Sequence, residues 1–284
     1  MAQCRAAVFP EPNLPIEIRD IPLPDMVPGA VLLRTIVSEV CGTDVHLHHG
    51  QLAGVPYPLI PGHVSVGRVE ETGGEVLDAD GQRISPGDTV AFYDVIGACG
   101  QCYACSVALR PTRCPHRRVY GITLPSDKPQ GGWSTHIYLD PGTRTMKLPE
   151  DLAVEDYIGG GCGLHTGYTA ADRADIKVGA SVLVVGSGPV GLSAAVFARL
   201  AGAETVLVTG APEVRLTAAR QMEADATFDI TMSTPEDRVE WAREHTQGRG
   251  PDIVIEAAGH PNAVVEAFDM VREGGTVVIA GQYT

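Results

Sequence analysis

The stretch that decides the fold class is Ser181-Val-Leu-Val-Val-Gly-Ser-Gly-Pro-Val-Gly191. Its apolar start predicts a buried strand, which leads into a glycine-rich turn and then a helical segment up to Leu200. The first glycine allows the tight turn, the second lets the backbone approach a pyrophosphate, and the third permits close packing of helix on strand. A tight turn without a ligand also favours glycine, but this context favours a dinucleotide site at the helix N-terminus. The predicted cofactor-binding residues in this loop are Gly186, Gly188, Pro189, Val190 and Gly191.

Strands and helices alternate after this loop. Apolar runs predict strands at residues 205–208, 252–256 and 276–280, with helical segments at 213–222 and 262–272. Alternation of this kind is typical of a parallel, doubly wound sheet. Residues 151–284 are therefore predicted to form an α/β domain that binds NAD or NADP.

The second predicted strand leaves the choice between NAD and NADP open. An NAD site usually has Asp or Glu at the end of this strand to bind the ribose diol. Here the strand ends near Gly210, which removes the charge that would repel a 2′-phosphate, and Arg215 could reach such a phosphate. Glu213 could instead bind the diol from within the loop, or both side chains could simply be exposed at a helix start.

The first half of the chain, residues 1–150, has a different pattern of predicted secondary structure. Short β-rich runs at 31–37 and 88–93 lie between proline and glycine residues such as those at 58, 61, 62, 86 and 87. Short strands separated by turns favour an irregular barrel or sandwich over a layered α/β unit.

Composition excludes several classes of partner. Twenty-one basic and 35 acidic residues give a net charge of −14, which repels both nucleic acid and anionic lipid. No run reaches the ~18 apolar residues of a membrane span, and the N-terminus lacks the pattern of a signal peptide. We therefore expect a cytoplasmic protein, in which seven cysteines favour metal or catalytic roles over disulfides.

Four cysteines form the pattern C-x2-C-x2-C-x8-C within one loop-like segment. Four thiolates on a short loop suit a tetrahedral zinc ion with every position filled, which is a structural site. An iron–sulfur cluster is the alternative, since a proline follows the last cysteine as in some cluster-binding runs. The predicted ligands are Cys99, Cys102, Cys105 and Cys114.

A second donor set consists of Cys41, His63 and Cys162. Two thiolates and one imidazole are typical of a catalytic zinc site with an open fourth position, where the metal lowers the pKa of a bound alcohol or water. Each residue alone could equally be a buried structural side chain. Together with the four-cysteine loop and the glycine loop, they favour a zinc site.

These motifs, in this order, resemble the zinc-dependent medium-chain alcohol dehydrogenase family, from about residue 5 to residue 284. The resemblance rests on Cys41-Gly-Thr-Asp-Val-His46, Gly62-His63, the four-cysteine loop, Gly161-Cys162-Gly163 and the glycine loop. It implies a GroES-like catalytic domain at 1–150, a Rossmann domain at 151–284 and an active site in the cleft between them. It also implies two zinc ions per chain, one catalytic and one structural, and hydride transfer between an alcohol, or its aldehyde or ketone, and NAD(P).

The resemblance also implies roles for three residues of the first motif. Thr43 would accept the proton of the alcohol and pass it toward the cofactor ribose and His46, and Asp44 would support His63 as a carboxylate behind the metal ligand. Small alcohols or carbonyls are the implied substrates, and a homo-oligomer is possible.

Two features depart from the family pattern. Val64 stands where the family has Glu after His63, and the chain stops at Thr284, where relatives usually continue for several tens of residues, so a fragment is one expectation. These departures keep two alternatives open. One is a non-catalytic protein that binds zinc and a dinucleotide, and the other is a zinc-independent quinone or enoyl reductase of the same superfamily.

Overall fold

The structure is a computed structural model that describes residues 3–283. The chain divides into two compact units, one that ends at Gly159 and one that spans Gly160–Tyr283. Each unit has its own sheet and its own core.

The first unit is rich in short strands, as its turn-bounded sequence predicts. Its helices are α1 (Gly42–His48), α2 (Tyr103–Ser106) and α3 (Val154–Gly159), with a 3-10 turn at Pro111–Arg113. Its strands are β1 (Gln3–Val8), β2 (Glu17–Pro22), β3 (Val31–Ser38), β4 (Ser65–Thr72), β5 (Thr89–Phe92), β6 (Val95–Ile96), β7 (Arg118–Val119), β8 (His136–Leu139) and β9 (Thr145–Lys147).

An antiparallel five-stranded sheet with the order β8-β3-β4-β5-β9 forms the centre of this unit. Strands β1 and β2 form one antiparallel pair, and β6 and β7 form another. The unit extends past residue 150 because α3 contributes Tyr157 and Ile158 to an apolar cluster around Val66 of β4.

The second unit is built from alternating helices and strands. Its helices are α4 (Gly161–Arg173), α5 (Pro189–Leu200), α6 (Glu213–Gln221), α7 (Pro235–Glu244) and α8 (Pro261–Met270). Its strands are β10 (Ser181–Val185), β11 (Thr205–Gly210), β12 (Ala226–Asp229), β13 (Ile253–Glu256) and β14 (Thr276–Ile279).

The five strands of this unit form a parallel sheet with the order β12-β11-β10-β13-β14, which confirms the predicted doubly wound class. Strand β10 lies in the middle and is buried on both faces, which explains its unbroken apolar sequence. Val182 and Val184 pack in a cluster with Ala194 of α5, whereas Leu183 and Val185 pack in a second cluster with Ala267 of α8.

No helix within residues 3–283 is long and apolar enough to cross a membrane.

Candidate functional site

Two of the predicted metal ligands, Cys41 and His63, lie close together in the first unit. Cys41 Sγ is 3.7 Å from His63 Nε2, and the His63 side chain is buried. A thiolate and an imidazole on one tetrahedral zinc ion stand about 3.5 Å apart, given Zn–S near 2.3 Å and Zn–N near 2.0 Å. The spacing of these two donors therefore fits a shared zinc ion.

The start of α1 fixes the position of the Cys41 thiol. Cys41 is the N-cap residue of this helix, and its Sγ accepts a hydrogen bond from the Thr43 backbone N–H at 3.2 Å. Asp44 completes a capping box, because its Oδ2 accepts the Cys41 backbone N–H at 2.8 Å. The backbone geometry of the helix N-terminus therefore holds the sulfur in place.

The same Asp44 carboxylate reaches the segment that carries His63. Its Oδ1 accepts the backbone N–H of Gly62 at 3.4 Å. Gly62 has φ +93°, and a Cβ there would lie 2.6 Å from both Ser38 Oγ and Trp133 Cδ1. Asp44 thus supports His63 through the preceding backbone amide. Within the described chain, His63 Nδ1 is buried without a hydrogen-bond partner.

Electrostatics at this pair favour a cation. Burial lowers the pKa of His63, but the hydrogen bond and charge of Cys41, together with the charges of Asp44 and Asp94, outweigh burial and raise that pKa to about 9. Burial raises the pKa of Asp44 to about 6, against the hydrogen bond from Cys41 N–H. The negative potential that stabilises a proton on His63 also favours a divalent ion, whose binding displaces that proton.

Thr43 and His46 occupy one side of α1. They are three residues apart on the helix, so their side chains lie over neighbouring turns, whereas Asp44 and Leu47 are buried. His46 Nδ1 lies 2.7 Å from Gln51 Oε1, a contact that orients the imidazole. Sequence reasoning did not identify Gln51, because a lone glutamine after a helix carries no pattern.

The four-cysteine loop forms a second set of donors. The ligand atoms of Cys99, Cys102, Cys105 and Cys114 all lie within 4.8 Å of one another. Cys114 Sγ is 3.7 Å from Cys99 Sγ and 3.8 Å from Cys102 Sγ. Thiolates on one tetrahedral zinc ion stand about 3.8 Å apart at Zn–S near 2.3 Å, so the set fits a closed zinc site. In a four-iron cluster each thiolate binds a different iron atom and stands further from its neighbours, so these distances favour zinc.

Local pairing explains how this loop closes. Strands β6 and β7 pair through Val95 with Val119 and bring the two ends of the loop together. Within it, Cys105 N donates to Cys102 O at 3.0 Å, and Cys99 N donates to Cys114 Sγ at 3.4 Å. The sulfurs therefore meet around one centre, with one thiolate already stabilised by a backbone amide.

In the second unit, the glycine loop joins β10 to α5 as predicted. Gly186 has φ +112°, and a Cβ at position 191 would lie 1.8 Å from Gly186 O. A Cβ at Gly188, by contrast, meets no atom within 4 Å. Gly186 and Gly191 are therefore needed for the turn and its packing, and Gly188 leaves an open surface at the N-terminus of α5. That surface suits a pyrophosphate group.

Helix α4 places Cys162 beside the glycine loop. A Cβ at the neighbouring Gly163 would lie 2.8 Å from Pro189 Cβ and 3.1 Å from Val190 N. Cys162 itself is half-buried in the first turn of α4, and its carbonyl accepts the Thr166 hydroxyl at 2.8 Å. The third predicted thiol ligand thus lies at the cofactor end of the second unit.

Gly210 ends β11, the second strand of the parallel sheet along the chain, and Arg215 lies in the helix that follows. Gly210 is the last residue of β11, where a Cβ would lie 2.2 Å from Ser187 Oγ of the glycine loop. Arg215 is exposed in the first turn of α6. Sequence reasoning did not identify Ser187, because only the fold brings it against Gly210.

The chain combines a parallel-sheet unit that has a glycine loop typical of dinucleotide binding with a β-rich unit that has thiolate and imidazole donors typical of a metal site. This combination fits a metal-dependent oxidoreductase that uses a dinucleotide. Family models agree. The alcohol dehydrogenase GroES-like domain matches residues 27–150, and the zinc-binding dehydrogenase domain matches residues 189–284.

Individual relatives extend this agreement along the chain. The 5-exo-hydroxycamphor dehydrogenase of Pseudomonas putida is 33% identical, over 99% of this chain and 77% of its own length. An alcohol dehydrogenase structure from Thermotoga maritima superposes with a TM-score of 0.91 at 35% identity, covering 99% of this chain and 78% of that one. A structure from Sinorhizobium meliloti 1021 with NADP bound has a TM-score of 0.84 at 29% identity, covering 100% and 78%.

The chain belongs to the zinc-dependent medium-chain alcohol dehydrogenase family. It is an oxidoreductase that acts on CH–OH groups with zinc and NAD(P) as cofactors, which confirms the function predicted from the sequence.

Proposed function

We propose that Cys41, His63 and Cys162 hold a catalytic zinc ion and that Cys99, Cys102, Cys105 and Cys114 hold a structural one. The single observation that carries the proposal is the 3.7 Å separation of Cys41 Sγ and His63 Nε2 in a negative, buried setting. Three ligands leave a fourth position for a substrate oxygen, whereas four thiolates leave none. The chain would then bind two zinc ions.

The proposed chemistry assigns a proton path to α1. When bound, zinc polarises an alcohol or carbonyl oxygen, and NAD(P) accepts or donates the hydride. Thr43 accepts the hydroxyl proton of the alcohol and passes it toward His46 on the same side of the helix. Gln51 Oε1, 2.7 Å from His46 Nδ1, orients the ring so that Nε2 accepts the proton. Asp44 positions Cys41 and His63 through the two backbone amides it binds.

We assign the catalytic role to residues 1–150, with Cys162 as the one further zinc ligand, and cofactor binding to residues 151–284. In the second part, the pyrophosphate would lie over Gly188 at the start of α5, between Gly186 and Val190. Because Gly163 packs against Pro189 and Val190, the thiol of Cys162 would lie near the nicotinamide end of the cofactor.

The substrate we propose is a secondary alcohol and its ketone. Support comes from the relative named 5-exo-hydroxycamphor dehydrogenase, since a hydroxyl on a ring carbon of camphor is a secondary alcohol. We expect alicyclic secondary alcohols to be oxidised at higher kcat/KM than primary alcohols of the same carbon number.

The proposed setting is the cytoplasm, with no nucleic acid or membrane partner, and a homo-oligomer is possible. All seven cysteines are free thiols in the structure, and thiolate metal sites persist in a reducing compartment. The net charge of −14 supports the absence of nucleic-acid and anionic-lipid partners.

Alcohol-dependent reduction of NAD(P) by the zinc-loaded chain tests the function. We expect turnover that Cys41→Ser abolishes while the four-thiolate zinc is retained. Activity that survives complete metal removal would instead support the zinc-independent reductase. Cofactor binding without turnover, unchanged by Val64→Glu, would support the non-catalytic alternative that the valine beside His63 raises.

A further inference from the structure

The tip of strand β11 lacks the carboxylate that usually binds the adenosine ribose of NAD. Gly210 ends this strand, and a Cβ there would lie 2.2 Å from Ser187 Oγ and 2.8 Å from Ser187 N. Rotation of the serine side chain removes the first clash but not the second, which involves the backbone of the glycine loop. Position 210 is therefore restricted to glycine, and no acid can stand at this tip in the present loop geometry.

Glu213, the acid nearest in sequence, is turned along its own helix. Its Oε1 accepts the Thr217 hydroxyl at 3.3 Å and forms an ion pair with Arg220. These partners lie one and two turns further along α6, so the carboxylate extends away from the strand tip. The ion pair also compensates its charge. The structure thus disfavours the interpretation in which Glu213 binds a ribose diol.

Asp229, at the end of the adjacent strand β12, is also engaged within its own turn. Gly210 and Asp229 are register partners in the parallel pair. Asp229 Oδ1 accepts both the backbone N–H of Thr231 at 2.8 Å and its hydroxyl at 2.7 Å. The Oδ1 atom of this carboxylate is therefore held by the turn that follows β12.

Arg215 is the positively charged group beside this tip. It lies in the first turn of α6 and is exposed. Within residues 3–283 its guanidinium forms no ion pair, unlike that of Arg220. Side chains on an α-helix tilt toward the helix N-terminus, which for Arg215 is the direction of Gly210. A planar guanidinium of this kind binds a phosphate group in a bidentate manner.

We propose that this chain selects NADP(H) over NAD(H), with the guanidinium of Arg215 binding the 2′-phosphate above Gly210. The inference rests on the proposed cofactor site and specifies the class of dinucleotide that it takes. The backbone of the glycine loop at Ser187 determines this specificity, because its position against Gly210 keeps a diol-binding acid out.

Equilibrium binding tests this inference without any turnover. Titrations of the full zinc-loaded chain with NADPH, NADH, 2′,5′-ADP and 5′-AMP, followed by calorimetry, compare ligands that differ only in the 2′-phosphate. We expect NADPH to bind at least tenfold more tightly than NADH, and 2′,5′-ADP more tightly than 5′-AMP. Arg215→Gln should remove at least tenfold of the NADPH affinity and leave NADH unchanged. The control Arg243→Gln, an equal change of charge on α7, should change neither affinity.

Other outcomes contradict the proposal in distinguishable ways. Equal or tighter binding of NADH overturns the preference while the dehydrogenase function stands. If Arg215→Gln lowers the affinities for NADPH and NADH equally, the arginine does not bind the 2′-phosphate. Absence of binding by every dinucleotide overturns both this inference and the proposed function. Thermal melting of each variant verifies that it is folded.

Discussion

Asp44 Oδ2 accepts a hydrogen bond from the backbone N–H of Cys41 at 2.8 Å, within the first turn of the helix that the cysteine caps. The other oxygen of the same carboxylate binds the Gly62 amide, one residue before His63. One buried side chain therefore fixes the relative position of two proposed zinc ligands that are separated by 22 residues. Such outer partners of metal ligands affect metal affinity even though they do not touch the metal.

We expect Asp44→Asn to lower the affinity of the proposed catalytic site for zinc about 10- to 100-fold. An amide has only one oxygen acceptor, so one of the two backbone N–H groups loses its partner. Competition with a chromophoric chelator measures the change. Asp175→Asn, which alters an exposed ion pair with Lys177, is the matched control and should leave zinc affinity unchanged. Equal zinc affinity in Asp44→Asn and the wild type would contradict the positioning role.

Substitutions at two glycines of the dinucleotide loop should have different effects, one on cofactor binding and the other on the stability of the second unit. Gly188→Ala introduces a Cβ with no atom within 4 Å, so the melting temperature should stay the same while NADPH binding weakens at least tenfold. Gly191→Ala places a Cβ 1.8 Å from Gly186 O and should destabilise the second unit by about 1–3 kcal/mol or more. Thermal melting and cofactor titration of both variants check this. Undiminished NADPH binding by a folded Gly188→Ala would rule out the proposed position of the pyrophosphate.

The fold was largely predictable where apolar runs were long. Strand β10 and helix α5 follow from their sequences because a central parallel strand is buried on both faces. Strand β12 and helix α7 were not predicted, since β12 is a half-buried edge strand and α7 buries only Ala242. Weak burial gives weak hydrophobic periodicity, and such elements are recognised only once their neighbours are known.

The candidate metal ligands were predictable from the sequence, but the contacts that position them were not. Cysteine and histidine spacing indicated both proposed zinc sites because few other functions need those residue types together. The contacts of Asp44 with Gly62 and of Ser187 with Gly210 link residues that are far apart in sequence, with no motif to join them. The orientation of Glu213 toward Arg220 likewise depends on side-chain packing, so the sequence left the NAD and NADP alternatives open.

Acid should lower the free energy of unfolding of the second unit, because Asp252 becomes protonated. Burial raises the pKa of this carboxyl, but hydrogen bonds from the Ser181 backbone and hydroxyl and from Arg272 outweigh burial and lower that pKa to about 2. Since the unfolded value is 3.8, the folded state binds fewer protons in this range. The stabilisation is therefore complete above about pH 5 and is lost as the pH falls from there toward 2.

Urea denaturation of the wild type and Asp252→Asn measures this contribution. Because the carboxylate is partly exposed to solvent, we expect a difference of only about 1 kcal/mol in the free energy of unfolding at pH 6, and a smaller one at pH 2.5. If the difference in the free energy of unfolding is independent of pH, Asp252 contributes through its packing and not through its charge.

Loss of the proposed structural zinc should destabilise the first unit. Cys102→Ser removes one of the four thiolates, so the loop at residues 99–114 no longer binds the ion that would hold it together. The melting temperature of that unit should therefore fall by several degrees. Cys4→Ala changes a buried cysteine outside both metal sites and should keep the full zinc content. A Cys102→Ser variant with unchanged zinc content and melting temperature would contradict the closed site.

Zinc content per chain, measured on protein purified without added metal, tests the central claim most directly. One open three-ligand site and one closed four-thiolate site predict about two zinc ions per chain. We expect Cys41→Ser and Cys102→Ser each to reduce this value by about one. A wild-type value of about one, resistant to chelators and unchanged in Cys41→Ser, would show that only the four-cysteine loop binds zinc and would contradict the catalytic site.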